Sequence, residues 1–198
     1  RRVLVRSDII DMITINHTNI YKIADYSRHL KNLPTEDRFS RFGFNIPDSS
    51  IDQLILNMCY HPKDHELWYA RTDDTRVGWG HLVKNNEDSW ELAVSVDREY
   101  QRQGIGDMLI KEMLAWAKVH HIPEVYMHCI EENRVIQHLA KKHELKTRER
   151  SYGERTAALE VPDPTLTEVS IQKMKEQNEI IREIGKLQNK LTTLWLPI

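Results

Sequence analysis

The sequence predicts a mixed α/β (α+β) fold, a mostly antiparallel sheet with helices, followed by a separate C-terminal helix. Three observations carry that expectation. Residues 66–72, 76–84 and 89–96 are strand-like runs, and the pairs Asp73-Asp74 and Asn85-Asn86 between them are turn signals, so the three read as an antiparallel meander. The third run leads through a glycine-bearing turn, residues 101–106, into a helical run over 107–118. Pro162 and Pro164 then divide a body, residues 1–161, from a polar C-terminal extension, residues 162–198.

The remaining elements follow in chain order. Val3, Leu4 and Val5 form a short strand candidate between arginines. Thr18 or Asn19 is placed to cap a helix that carries Ile20, Ile23, Ala24, Tyr26 and Leu30 on a helical period and stops at Pro34. Ser49 and Ser50 open a second helix with Ile51, Leu54, Ile55 and Met58 as its apolar stripe, closed by Pro62. Beyond the meander, Pro123 ends the helix that follows the turn, 124–130 is a strand and 133–143 a helix. Residues 145–150 and 155–161 make a hairpin around Tyr152 and Gly153. In the extension, residues 167–194 form a long helix in which Ile180, Ile184, Leu187, Leu191 and Leu194 recur at spacings of 4, 3, 4 and 3, a heptad rhythm. Gly185 weakens that helix by about 1 kcal/mol. The extension is expected to pair with a second copy as a homodimer, to dock on the body, or to lead to a further segment.

Bulk properties narrow the function classes. The 198 residues carry a net charge of −2, with 29% charged and 40% hydrophobic residues, the balance of a soluble globular protein. Nothing in that charge calls for nucleic acid, and no apolar run approaches the roughly 20 residues of a membrane span. The opening run, residues 1–6, is too short and too charged for the core of a signal peptide. Cys59 and Cys129 suit a reducing compartment, so the expected location is cytoplasmic. The ten histidines are scattered, with His120-His121 the one adjacent pair, and no metal is expected.

The turn is the most informative stretch. A strand, a glycine-bearing turn and a helix in that order aim successive backbone N–H groups into one concavity, and the helix dipole adds positive potential there. Glycine admits the close approach of a phosphate. By itself this promises an anion site.

Gln101, Arg102, Gln103, Gly104, Ile105 and Gly106 read Gln-x-x-Gly-x-Gly, and in this element order the chain resembles the GNAT superfamily of acyl-CoA N-acyltransferases over about residues 1–161. Ile130, Glu131, Glu132 and Asn133, leading into a helix, look like that family's asparagine-containing motif. Residues 33–42, Leu-Pro-Thr-Glu-Asp-Arg-Phe-Ser-Arg-Phe, are similar to a signature of the branch that holds bacterial Pat-type protein lysine acetyltransferases. In that branch a catalytic glutamate stands ten residues before the glutamine of the turn, as Glu91 stands before Gln101.

The resemblance implies a fold in which the fourth and fifth strands splay and helices cover both faces. It implies transfer of an acetyl group from acetyl-CoA, as co-substrate, to a primary amine: a protein lysine, or a polyamine or other small amine. The alternative is a non-catalytic acyl-CoA-binding module that recruits a partner through its C-terminal helix. Glu91 is the expected general base; Trp90, Leu92 and Val94 fall on one strand face, and Glu91 with Ala93 on the other. Val94 and Val96 are expected to bond the pantetheine through their backbones, with an N–H near Val94 stabilising the thioester oxygen. The run from Gln101 to Asp107 is expected to hold the pyrophosphate, chiefly through the N–H groups of Gln103, Gly104 and Gly106. Arg102 adds a charge contact, and the Asp107 carboxylate faces away. Asn133 is expected to bond the pantetheine arm, to cap its helix, or both. Two departures stand out. Ala140 occupies the place where many members carry a tyrosine acid, which leaves no specific acid beyond the candidates Tyr100, His138 and Cys129. Glu144 and Leu145 replace a Gly-Phe pair, which predicts an altered or strained turn.

Overall fold

A computed structural model describes residues 13–18, 22–73, 75–151 and 154–194. The expected strand at Val3, Leu4 and Val5, the cap at Asn19 with Ile20, and the hairpin turn at Tyr152 and Gly153 lie outside those residues. In chain order the elements are β1 (Ile13–Thr18), α1 (Ile23–Asn32), α2 (Thr35–Phe42), α3 (Asp48–Tyr60), β2 (His65–Thr72), β3 (Thr75–Lys84), β4 (Ser89–Val96), α4 (Ile105–Val119), β5 (Glu124–Ile130), α5 (Arg134–Lys142), β6 (Lys146–Ser151), β7 (Glu154–Glu160) and α6 (Leu166–Leu194).

Two elements depart from expectation. Thr18 closes β1 instead of capping a helix, and α1 starts at Ile23 with no side-chain cap. The helix α2 arises where only a connecting segment was foreseen. It buries none of its residues, so it shows no apolar stripe to read; Pro34 at its N-cap both ends α1 and starts it.

The seven strands lie in the order β1-β2-β3-β4-β5-β7-β6, and every neighbouring pair is antiparallel except β4 with β5. Period-2 alternation sends side chains to two cores. Trp68, Val77, Leu82, Trp90 and Leu92 join Leu109, Met113 and Trp116 of α4 on one face. Leu67, Tyr69 and Trp79 meet Tyr26 and Leu30 of α1 and Ile51 and Met58 of α3 on the other. The antiparallel meander and the helices on both faces are therefore as expected. Trp68 and Tyr69 do face opposite ways, and both are packed. Gly80 lets α4 rest on the sheet: a Cβ there would stand 2.4 Å from Met113 Sδ.

The first half of α6 is fastened to the body. Lys118 meets Glu168 at 2.8 Å, Lys175 meets Glu112 at 2.7 Å, and the His17 N–H donates to Glu179 at 2.7 Å. Beyond that anchor Ile180, Ile184, Leu187 and Leu191 stand exposed. Among the described residues no helix is long and apolar enough to cross a membrane.

Candidate active site

The site begins where a strand pair ends. β4 and β5 pair in parallel through only three positions, Ser89 with Glu124, Trp90 with Val125 and Glu91 with Tyr126. β4 continues to Val96 and β5 to Ile130, so beyond Glu91 the two strands part inside the sheet. A cavity of about 240 Å3 occupies the parting. Glu91, Ala93 and Val94 line one wall and Met127, His128, Cys129 and Ile130 the other. Ile136 of α5 closes one side, and Ser40, Arg41, Phe42 and Gly43 close the opposite one. The carboxylate of Glu91 thus stands at the fork.

At the far end of β4 the chain makes the glycine-bearing turn. Arg102 and Gly104 both take positive φ, 60° and 83°, and a Cβ at Gly104 would meet nothing within 4 Å. Glycine is needed there for its backbone angle, not for space. The first bond of the α4 ladder is Met108 N–H to Gly104 C=O at 3.0 Å, so the N–H groups of Ile105, Gly106 and Asp107 lie ahead of it. Gln101 braces the turn from inside: its Nε2 donates to Val96 C=O at 3.0 Å and to Asp37 at 3.3 Å. Gln103 donates to Glu99 C=O at 3.1 Å. The Val96 carbonyl is thereby engaged within the chain, whereas Val94 lines the cavity. The Asp107 carboxylate is taken up by Lys142 at 2.8 Å and His143 at 2.9 Å, which ties α4 to α5. Burial pushes its acidity down, but those two partners outweigh burial and hold its pKa below the usual value.

Asn133 caps α5, its side-chain oxygen accepting the Ile136 N–H at 3.1 Å, while its Nδ2 points across to Ser40 C=O at 3.5 Å. Ala140 is buried in the core beside Leu145. Glu144 takes a positive φ of 64°, so the strained turn foreseen from the missing glycine is present.

Behind the fork, on the face of the sheet that carries Glu91, a chain of polar groups runs from buried Tyr26, His81 and His65 out to the exposed Asn57. The Tyr26 hydroxyl is 3.3 Å from His81 Nδ1, His81 Nε2 is 3.1 Å from His65 Nδ1, and His65 Nε2 is 3.1 Å from Asn57 Oδ1. Burial, then the charge of Arg41, then His65 hold the His81 pKa well below the ordinary value. Burial lowers that of His65, with Asp64 opposing and His61 assisting. Two neutral rings give one consistent set of roles: Tyr26 donates to His81, His81 to His65, and His65 to Asn57. The phenol itself is held above the ordinary range by burial and by Glu91, against the pull of Arg41. Nearby, His29 Nδ1 lies 3.0 Å from Asp97 and its Nε2 2.8 Å from Ser95 Oγ. This serine–histidine–aspartate line pins α1 to the end of β4, and Ser95 is not among the residues of the cavity wall.

Of the sequence-expected residues, Glu91 and Val94 line the parting, Asn133 stands outside its wall at the start of α5, and the turn lies at the far end of β4. Within residues 33–42 the side chains divide between anchoring their segment and lining the cavity. Arg38 anchors: it donates to Leu33 C=O at 3.2 Å, to Ile46 C=O at 3.2 Å, to Asp48 at 2.8 Å and to Lys31 C=O. Arg41 and Phe42 line the cavity. His128 and Ser40 were missed. The period of two in β5 puts His128 on the face of Tyr126, but only the pairing of Tyr126 with Glu91 makes that face part of a site. Among the described residues no group of histidines, cysteines and carboxylates is placed to hold a metal.

The acetyltransferase (GNAT) family model matches residues 29–144. Solved structures with this architecture include a GNAT-family acetyltransferase from Streptococcus pneumoniae, at 12% identity, covering 76% of this chain and 99% of that one, with a TM-score of 0.60. A spermidine N-acetyltransferase from Vibrio cholerae, in complex with CoA and spermine, is 13% identical over 76% and 96% of the two chains, TM-score 0.60. The ribosomal-protein-S18-alanine N-acetyltransferase from Escherichia coli is 13% identical over 78% and 97%, TM-score 0.60. At these identities the likeness is one of fold.

Proposed function

The chain belongs to the acetyltransferase (GNAT) family, and on that premise we propose that it transfers an acetyl group from acetyl-CoA to a primary amine in a ternary complex, with Glu91 as general base. The observation that carries this reading is the fork itself. The parallel pairing stops at Glu91, a cavity opens directly past it, and the anion-type turn stands at the end of the same strand. The residues fit the co-substrate. The parted strands leave backbone groups of 92–96 and 127–130 without each other, and Gly104 holds the left-handed turn with open space beside it.

Acetyl-CoA, when bound, supplies an activated thioester; the remaining steps belong to the chain. The N–H groups of Gln103, Gly104, Ile105, Gly106 and Asp107 face the pyrophosphate, with Gln101 bracing the turn and Arg102 adding charge. Backbone groups of Val94, and of Val96 through its N–H, meet the pantetheine amides, and the Asn133 amide meets them from α5. An amine of pKa near 10 is mostly protonated at neutral pH, so Glu91 takes its proton, directly or through one water. The nitrogen then forms its bond to the acetyl carbon as the carbon–sulfur bond breaks, and an N–H near Val94 stabilises charge on the oxygen. The thiolate leaves well and needs little help from an acid.

For the acceptor, similarity of residues 33–42 to the lysine-acetyltransferase signature favours a protein lysine. The fold shared with spermidine acetyltransferases gives a small amine as the second reading. The exposed heptad seam of Ile180, Ile184, Leu187 and Leu191 favours a homodimer through α6. Scattered free cysteines fit a cytoplasmic location. Replacing Glu91 with Gln is the test of the base: turnover falls roughly 100-fold or more while acetyl-CoA affinity, read by titration calorimetry, is retained. Unchanged turnover across the pH range rejects the assignment.

A further inference from the structure

The two arginines of α2 lie three residues apart and do opposite things. Arg38 is saturated by three carbonyls and Asp48. Arg41 turns into the cavity wall, its guanidinium carbon 4.8 Å above the ring of Phe42. Among the described residues, no carboxylate is within ion-pair reach of it. Its polar neighbour is the Tyr26 hydroxyl, whose pKa burial raises and the charge of Arg41 pulls down. Behind Tyr26 stand His81 and His65, and an imidazole is neutral or cationic, so the chain behind Arg41 offers it no counter-charge. Of the described residues that line the cavity, Arg41 is the fixed cation and Glu91 the carboxylate.

The phosphate turn lies toward the other end of α2 from Arg41. Along β4 the turn begins beyond Val96, and the five steps from Glu91 to Val96 span roughly 16 Å. The helix α2 runs beside that strand in the opposite sense. Asp37 reaches Gln101 and Arg98 near the turn, whereas Arg41 lies one helical turn on, at the Tyr26 and Glu91 end. A guanidinium in such a wall is costly to desolvate unless a ligand supplies an anion, and its planar fork suits a carboxylate.

We propose that Arg41 reads a carboxylate carried by the acceptor, so that the preferred substrate is an amine with an acidic group a few bonds from its nitrogen: the amine at Glu91, the carboxylate at Arg41, with Tyr26 positioning the guanidinium. The inference rests on the acetyl-transfer reading. It names one chemistry with two sources, a free amino acid or a lysine side chain flanked by an acidic residue.

The experiment compares acceptors with their decarboxylated partners on the full chain: β-alanine with ethylamine, γ-aminobutyrate with propylamine, lysine with cadaverine, and a lysine peptide flanked by Glu with its Gln counterpart. Acetylation is followed by thiol release. In the wild type kcat/KM for the carboxylate partner exceeds that for the bare amine at least tenfold in one of these pairs, and the pair that shows it identifies the source. In Arg41→Gln that ratio collapses toward one, through KM more than kcat; Arg41→Lys restores part of it, and Tyr26→Phe lowers it. In parallel, calorimetry on the CoA-loaded protein measures N-acetyl-γ-aminobutyrate against N-acetylpropylamine, and the ratio of their affinities follows Arg41 in the same way. A wild type that prefers the bare amines in every pair, or a ratio indifferent to both Arg41 variants, overturns the inference and leaves acetyl transfer standing. Carboxylate-dependent binding through Arg41 without acetylation of any amine overturns the transfer reading instead. Thermal unfolding of each variant separates loss of fold from loss of recognition.

Discussion

On the proposed reading, one end of the cleft takes the cofactor and the other the acceptor, and the two are built from different materials. At the cofactor end, main chain does the work. Parted strands expose N–H and C=O groups, and Arg102 and Gly104 turn the chain through left-handed angles that aim further N–H groups outward. At the acceptor end side chains do it: Glu91, Arg41 and His128, with the Tyr26, His81, His65 and Asn57 chain packed behind. A main-chain site tolerates almost any side chains that keep the backbone path, and the backbone path is what this chain shares with solved structures at 12–13% identity. A side-chain site is rewritten with each acceptor.

That contrast can be tested by variants that strike one end and spare the other. The largest effect, after loss of Glu91, is expected at Gly106. A Cβ there would stand 3.4 Å from Leu139 Cδ1, an ordinary contact, and alanine is the better helix former, so Gly106→Ala leaves the free protein as stable as before. It crowds the phosphate approach and weakens acetyl-CoA by about tenfold, or 1.4 kcal/mol; steady-state KM values for the two substrates show which end responds. Tyr26→Phe is the counterpart. It leaves His81 Nδ1 without its donor, at a cost of about 1–3 kcal/mol in denaturant unfolding, and raises KM for the amine rather than for acetyl-CoA. Equal effects on both substrates from either variant would break the division.

Smaller effects sharpen it. Gly80→Ala forces the Met113 side chain to move and costs about 1–3 kcal/mol by chemical denaturation, because α4 rests on that backbone. Asp107 gives a pH signature. Its folded pKa is depressed, so the stability it contributes by clamping α4 to α5 is present above the unfolded value near 3.8 and is lost as pH falls through the lower folded one. The melting-temperature gap between wild type and Asp107→Asn is expected to be open at pH 6 and to close below that window. Last, Ile184→Glu with Leu187→Glu converts the proposed dimer to monomer by light scattering without altering kcat; a wild type of monomer mass removes the seam as an interface.

The elements legible in the sequence were those with a strong pattern of their own. Residues 89–96 and 124–130 were bounded as found, because β-branched and apolar residues alternate there between clear turn signals. The turn at 101–106 was legible because Gly104 answers a backbone need. The helix α2 was not, since it buries no residue and has no stripe. Thr18 misled because a hydroxyl before an apolar run marks a cap only when the chain there is not already paired; here it pairs with Leu67. The division of labour between Arg38 and Arg41 was undecidable from spacing, as it depends on where Asp48, Ile46 and Leu33 return in space.

The parting of β4 from β5 has a further consequence. A sheet with two unpaired edges in its interior is an unfinished sheet, and unpaired edges invite any passing strand. The molecule that finishes it is the co-substrate. Occupancy at 100 times the dissociation constant adds about 2.7 kcal/mol to the folded state, and amide hydrogens of 92–96 and 127–130 should slow their exchange with solvent when it binds. On the acetyl-transfer reading, the stability of this protein therefore rises with the acetyl-CoA around it, and removing the co-substrate leaves both edges open.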